Sequence, residues 1–384
     1  SLPEMSTLKV NKIENTATSD GGIAIDSTGH VQVDGVQLPT AGALANRNLV
    51  MNGAMTVAQR STSETGLTAN TNFILDRFRV YISNIGTYAI SQASDAPAGF
   101  KYSYKVDCTT ADASPAAADE IHFSYKFEGQ DLQHLKKGTS GAEQVTLSFW
   151  VKSNKTTSGQ VSLRDTENTR IIAATYTISA ANTWEYKTIT FAGDTSDTLT
   201  SDNAARMEIQ WFLDSGSNAS SGTTPTAWEA EVTADKNATN FGLASSTDNY
   251  WQITGVQLEV GSKATPFEHR SFGDELQRCL RYFQYYTTNN TTAAYAGMGI
   301  AAGSASARFY FALIAAMRTV PSVTASSCSA DDQQASTYTL SSPSIASGTI
   351  GSLFLSFSTS GMTGGRPIQL VIADGGNISL SAEL

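Results

Sequence analysis

Apolar and polar residues alternate with period two along much of the chain. In Ile121-His122-Phe123-Ser124-Tyr125-Lys126-Phe127 every second side chain is apolar. Val145, Leu147, Phe149 and Val151 alternate with Thr146, Ser148, Trp150 and Lys152. Met207, Ile209, Trp211 and Leu213 alternate with Glu208, Gln210, Phe212 and Asp214. Successive strand side chains point to opposite faces, so each segment predicts a strand with one buried face. Turn-forming clusters at 96–99 (APAG), 136–141 (KKGTSG) and 154–159 (NKTTSG) separate such segments. Residues 48–270 therefore read as one large β domain, a sandwich or barrel.

The flanks differ. Residues 1–47 hold two short alternating segments, Leu8 to Ile13 and His30 to Val33, around a Gly-rich stretch at 21–29. This predicts strand, turn, strand. Chains under ~40 residues rarely bury a core without metals, disulfides or partners. Identical copies are the natural partners, so an intertwined attachment segment is expected, the other reading being a disordered tail. Residues 214–227 (DSGSNASSGTTPTA) predict a long surface loop ending at Trp228. A linking helix is expected over 271–287. Ser271 is its N-cap, Asp274 and Glu275 lie in the first turn, and Phe272, Leu276, Cys279, Leu280 and Phe283 form an apolar stripe. Residues 288–384 return to strand patterns, at Arg308 to Ile314, after Pro321, at Leu353 to Phe357 and at Ile368 to Ile372. They predict a smaller second sandwich.

Composition agrees with a mainly β chain. Charged residues are 16% of the 384, against about 25% in ordinary globular proteins, and Ser, Thr, Asn and Gly take their place. These residues favour strands and turns over helices. The net charge of −10 comes without a basic cluster, so neither nucleic acid nor an anionic membrane surface is an expected partner. The longest apolar stretch, near Phe309 to Met317, is too short to span a bilayer, and no signal peptide is read at the start. Cys108, Cys279 and Cys328 are too scattered for a disulfide framework or zinc site and fit folding in a reducing cytoplasm.

Several segments resemble one family of bacteriophage tail fibre and receptor-binding proteins. They are Asn48-Leu49-Val50-Met51-Asn52-Gly53-Ala54-Met55-Thr56-Val57-Ala58-Gln59-Arg60, Asp76-Arg77-Phe78, Leu147 to Lys152, and Thr183-Trp184-Glu185. Ile253 to Gly261, Ala264 to Glu268, Arg278 to Phe283 and the closing Ser381-Ala382-Glu383-Leu384 complete the set. The match in order and spacing spans about 48–283. The resemblance implies a central jelly roll similar to carbohydrate-binding modules, a homotrimer, and a place in the virion tail. It also implies an N-terminal segment (1–47) joined to other tail proteins and a host-facing C-terminal sandwich (288–384). Jelly rolls of that kind often bind a structural calcium, so calcium is the one metal left open; no Asp-x-Asp-x-Asp-Gly loop is present, and no other cofactor is expected.

The chemistry in the chain points to binding rather than catalysis. His30, His122, His134 and His269 are scattered, without zinc-ligand spacing. No nucleophile elbow or phosphate-cradling loop appears. Glu259 shares a strand face with Gln257, and its simplest role is to bond a neighbouring turn. Sugars are bound by aromatic faces set among polar side chains. Trp228 after the long loop and Trp150 on the polar face of its strand are candidates on that ground, as are Tyr250, Tyr285 and Tyr295; cover by another layer or subunit is the competing role of Trp150. Trp184 and Trp211 read as core residues, one of Tyr250 and Trp251 as packed inside, and Tyr285, Tyr286 and Tyr295 as lining the junction with the last domain. The expectation is a non-enzymatic tail fibre that binds a host surface polysaccharide or outer-membrane protein. Its rivals are a purely architectural tail or capsid decoration protein, and a polysaccharide-degrading tail enzyme with carboxylates ~5–9 Å apart.

Overall fold

The structure is a computed structural model that describes residues 12–14, 22–25, 31–33, 36–37, 46–288, 293–334 and 336–384. Four short strands open it: β1 (Lys12–Glu14), β2 (Gly22–Ile25), β3 (Val31–Val33) and β4 (Val36–Gln37). They pair antiparallel in chain order. The stretch expected as a turn thus contains a strand, because Ile23 and Ile25 alternate in register with Ile13 and Val31. The expected strand start at Leu8 to Asn11 and the residues 26–30, His30 among them, lie outside the described residues. Ile13, Ile23, Ile25 and Val31 are all exposed, so these strands bury no apolar core among the described residues.

The period-two segments become β5 (Ser63–Asn72), β6 (Phe78–Ala93), β7 (Ser103–Thr110), β8 (Glu120–Glu128), β9 (Val145–Ser153) and β10 (Ser158–Asp165). They continue as β11 (Arg170–Thr177), β12 (Glu185–Phe191), β13 (Ala205–Ser215), β14 (Glu229–Ala230) and β15 (Tyr250–Val260). All eleven belong to one antiparallel sheet, ordered β12-β9-β15-β7-β6-β8-β13-β10-β11-β14, with β5 on β6. The sheet curls at β6. Residues 78–83 of β6 pair with β8 and residues 87–93 with β7, and the backbone turns between them at Asn84 (φ 53°) and Gly86 (φ 60°). Two layers result, and their inward aromatics meet: Phe149 of β9 on Trp211 of β13 at 5.6 Å, and Phe123 of β8 on Trp251 of β15 at 5.3 Å. All four rings are fully buried. Each burial contributes roughly 2–3 kcal/mol, which is why the alternation fixes the register.

The predicted surface loop at 214–227 is more ordered than expected. Strand β13 runs through Ser215, and a short helix α1 (Ser217–Ser220) follows with Ala219 buried. Asn237 Nδ2 donates to Ser215 Oγ at 2.7 Å, tying the later excursion to it. The linking helix is real but short. Helix α2 spans Phe272–Cys279, and Ser271 Oγ caps it by accepting from Asp274 N at 3.2 Å. The expected extension to 287 is not formed: Phe283–Thr287 is β16, paired along 377–381. Phe-Gln-Tyr-Tyr-Thr is aromatic and β-branched, and a waiting strand edge satisfies its backbone better than another helical turn would.

The second sheet holds β17 (Ala294–Ala301), β18 (Ser306–Ala312), β19 (Ser322–Asp331), β20 (Thr337–Thr339), β21 (Ser341–Gly348), β22 (Ser352–Ser358) and β23 (Pro367–Ser381). Its order is β20-β19-β23-β17-β18-β22-β21, with β16 on β23. Phe309, Leu355, Leu370, Ile378 and Leu380 lie in its core.

A dense polar junction joins the two sheets. Arg77 is buried in the left-handed region (φ 73°), its guanidinium 3.5 Å over the Tyr282 ring. It donates to Glu383 Oε2 at 2.8 Å, and Arg60 donates to Glu383 Oε1 at 3.1 Å. Arg281 grips the buried Glu128 with two bonds, at 2.8 and 2.7 Å, and the Tyr282 hydroxyl donates to the same carboxylate at 2.5 Å. Ala382 N donates to Tyr282 O at 2.8 Å, so the chain enters and leaves the second sheet at one place.

Candidate functional site

Register decides which candidate side chains face outward. On β9 the core takes Val145, Leu147, Phe149 and Val151, which leaves Trp150 and Lys152 on the opposite face. On β15 Trp251 and Ile253 point inward, so Tyr250, Gln252 and Thr254 share that outer face. Lys105 joins them from β7, between buried Tyr104 and Val106. Cross-strand pairing sets Lys105 beside Gln252, Gln252 beside Lys152, Thr254 beside Trp150, and Trp150 beside Tyr186. The Trp150 and Tyr186 rings are 5.2 Å apart.

The loop 94–102 crosses this face and organises it. Asp95 accepts from Lys152 Nζ at 2.8 Å and from Trp184 Nε1 at 3.2 Å. Burial works to raise the Asp95 carboxyl, but the bonds from Lys152 and Trp184 outweigh it and hold it below the usual range. Further along, Thr254 Oγ1 donates to Tyr102 O at 2.7 Å. Gly255 lets the loop come close: a Cβ there would stand 2.8 Å from Phe100 Cζ and 3.0 Å from Trp150 Cδ1, and its φ is +62°. Trp150 is therefore half-covered by the chain's own layers.

Beside the loop lies an open cleft of 570 Å³, lined by Gln92, Ser94, Asp95, Lys105, Tyr250 and Gln252, among others. The Tyr250 hydroxyl donates to Asn182 Oδ1 at 2.6 Å, and Lys105 Nζ sits 5.0 Å from the ring centre. Lys105 is in turn paired with Asp107 at 2.7 Å. Burial, with Asp95 and Asp107 nearby, raises the Tyr250 phenol above its ordinary range and keeps it protonated. The cleft thus offers an aromatic ring, an amide, hydroxyls and charges already paired. That set suits hydrogen bonding and stacking with polyhydroxyl compounds.

The structure brings Tyr250 and Trp150 to one face and disperses the other candidates. Trp228 is half-buried against the first core, its indole N–H given to Ala192 O at 2.7 Å. It is a plug at the sandwich edge rather than a free platform. Tyr285 and Tyr295 lie on separate strands of the second sheet, β16 and β17. Tyr285 stacks loosely on Phe283 at 6.3 Å. Tyr295 is 65% exposed on β17. Tyr286 packs into the second core against Phe311 at 4.6 Å. The residues that do build the junction are Tyr282 and Phe283, because the chain already turns into β16 there.

Trp211 is a core residue as expected, but Trp184 is half-exposed. Its phase gave the signal: Phe191 and Ile189 face the core, so the even-numbered Trp184, Tyr186 and Thr188 face out. Glu259 accepts from Thr265 N at 2.8 Å, Thr265 Oγ1 at 2.7 Å and Gln257 Nε2 at 2.8 Å, a turn-holding role. Among the described residues, no group of three or more His, Cys, Asp or Glu side chains converges as a metal site. One buried pair of carboxylates is already occupied by Lys137, whose Nζ lies 2.6 Å from Asp165 and 3.0 Å from Asp194.

No protein-family model and no curated protein matches the chain. Solved structures are similar in part. The enzymatically active domain of tailspike protein 4 from bacteriophage CBA120 matches 56% of this chain and 22% of its own length, at 14% identity and a TM-score of 0.29. A family 11 carbohydrate-binding module from Clostridium thermocellum matches 52% of this chain and 97% of its own, at 10% identity and a TM-score of 0.27. The module TmCBM61, in complex with β-1,4-galactotriose, matches 56% and 100%, at 10% identity and a TM-score of 0.27. All three superpositions are loose, and the chain's own side chains must decide its chemistry.

Proposed function

We propose that this chain is a non-enzymatic structural protein of a bacteriophage tail fibre that holds a host surface polysaccharide in the Tyr250 cleft. The observation that carries the reading is that open cleft on the outer face of the sheet, where an aromatic ring meets Gln252, Asp95 and Lys105. One such site binds weakly, and three copies in a homotrimer, repeated on a virion, multiply it through effective concentration. Two surfaces suit cover by further copies: the first four strands with their exposed isoleucines, and the apolar row Met298, Tyr310 and Phe354 on the second sheet. In this reading the first segment also joins other tail proteins, the second sheet faces the host, and the protein is made in the host cytoplasm and resides in the virion tail.

One observation favours the architectural rival. Several of the segments that carry the family resemblance meet at the junction, where Asn52, Arg60, Arg77, Tyr282 and Glu383 bond one another or the backbone around them, while Leu147 to Lys152 and Thr183 to Glu185 lie on the face that holds the cleft. Those junction segments build a scaffold rather than a binding surface. Binding of purified host polysaccharide by the full chain and by Tyr250→Ala separates the two. Saturable binding lost at least tenfold in the variant, with an unchanged melting temperature, is the expected result. No binding by either chain at millimolar sugar leaves the architectural reading standing.

A further inference from the structure

The opposite layer carries a second set of polar side chains that the cleft does not use. On β8, β13 and β10 the core takes Ile121, Phe123, Ile209, Trp211, Val161 and Leu163, so His122, Ser124, Gln210 and Ser162 stand on the outer face. Cross-strand pairing joins Ser124 to Gln210, Gln210 to Ser162, and His122 to Phe212. His122 is sandwiched between Tyr81 at 5.0 Å and Phe212 at 5.1 Å. His122, Gln210 and Ser162 are each more than nine-tenths buried. Both His122 ring nitrogens, Gln210 Oε1 and Ser162 Oγ have no hydrogen-bond partner. Glu120 Oε1 stands 3.9 Å from His122 Nδ1, too far for a bond.

Four bare polar atoms on three neighbouring strands are costly, because each has given up its water without gaining a partner, and native cores leave few such atoms unpaired. Above them runs a ladder of alternating charges. Arg79 donates to Ser124 Oγ at 2.8 Å and to Glu208 at 2.6 Å; Arg164 donates to Glu208 at 2.9 Å and to Glu231 at 2.6 Å. Lys236 closes the row on Glu231 at 2.7 Å. Each of these five charges has a partner within the row, with three cations facing two carboxylates, so the preference for a neutral ligand rests on the uncharged His122, Gln210 and Ser162 that carry the bare atoms. Burial, against the pull of Glu208, drives the His122 imidazole down to about 3, so it is neutral and offers one donor and one acceptor.

We propose that the face formed by His122, Gln210 and Ser162 is a second binding site, specific for a neutral polyhydroxyl ring and covered by the Arg79–Glu208–Arg164 ladder. Hydroxyl groups both donate and accept, which is the mixture the four bare atoms require. Tyr81, stacked on His122 and half-exposed, offers the apolar face of such a ring a surface to lie on. Entry requires Arg79 to leave Ser124 and Glu208; both arginines of the ladder retain some exposure at the surface.

The test uses the full chain with ¹⁵N-labelled histidine. Four histidines are present in the sequence, and His122 is assigned through His122→Asn. Glucose, galactose and mannose are titrated to 100 mM, with glucuronate in parallel. A saturable His122 shift with a neutral sugar is expected in the wild type, at least threefold tighter in Arg79→Ala and unchanged in Tyr250→Ala. No His122 shift in wild type or Arg79→Ala overturns the proposal. So does a shift with glucuronate alone, and so does a shift that disappears in Tyr250→Ala, which would assign it to the first cleft. Should Arg79→Ala fail to fold, the wild-type and Tyr250→Ala titrations decide.

Discussion

Lys137 is held on four sides. Besides Asp165 and Asp194 it donates to the carbonyls of Ser196 at 3.1 Å and Asp197 at 2.8 Å. Both carboxylates are buried. Burial would raise Asp194, but Arg170 and Lys137 hold it low. A tethered ammonium does here what a bound cation does elsewhere. Lys137→Met leaves the buried Asp165 without its cation, while Asp194 keeps Arg170, and is expected to cost about 3 kcal/mol, read as a lower urea midpoint at unchanged slope. His122 supplies a second prediction at this scale. Its folded value near 3 lies below the ordinary 6.5, so the unfolded chain binds its proton more tightly. Its contribution is complete above pH 6.5 and falls as pH drops toward 3. His122→Phe should shrink the stability lost between pH 7 and pH 5 by about 2 kcal/mol, measured by urea melts at both values; an unchanged loss would place the acid sensitivity elsewhere.

At the scale of elements, the central strands were legible because burial acts on alternate residues. Ile121 to Phe127, Val145 to Val151 and Met207 to Leu213 each became the core face of a strand. The helix end was not legible, because what stops α2 is the free edge of β23, nearly a hundred residues downstream. The outward face of Trp184 was written in the phase of Ile189 and Phe191, but the polar excursion before it hid the strand. The Tyr250 cleft was half legible: period two gives Tyr250 and Gln252 one face, while the loop bearing Asp95 comes from distant sequence. The junction yields its own prediction. Glu383→Ala leaves Arg77 buried without its carboxylate, a loss of about 3 kcal/mol. Calorimetry should then show the second sheet melting below the first, where the wild type melts with less separation.

Over the whole molecule, two unrelated surfaces lack cover. The early strands expose isoleucines, and the second sheet exposes Met298 and Tyr310. Apolar patches of this kind are more often interfaces than idle surface. Light scattering should give a mass near three times 40.7 kDa. A chain shortened to begin at Asn48 should dissociate more readily, and Met298→Glu with Tyr310→Glu should weaken the remainder. A monomer in every case would remove the oligomeric part of the proposal. No motif in the sequence specifies an oligomeric state, since symmetry lies in how copies meet.

The pairing of Tyr282 with Ala382 has a mechanical consequence. A pull applied to the second sheet reaches the first through two neighbouring points of one chain, with Arg77, Arg60 and Arg318 clasping the returning end. Strand β16 lies antiparallel to β23 at that anchor, so a load spread over both is resisted by several backbone bonds in shear rather than opened one at a time like a zipper. Cutting the clasp at Glu383 would shift the full tension onto the Tyr282–Phe283 entry. In a force spectrometer, the intact protein should release its second sheet in one high-force event and the Glu383→Ala variant in a softer, earlier one.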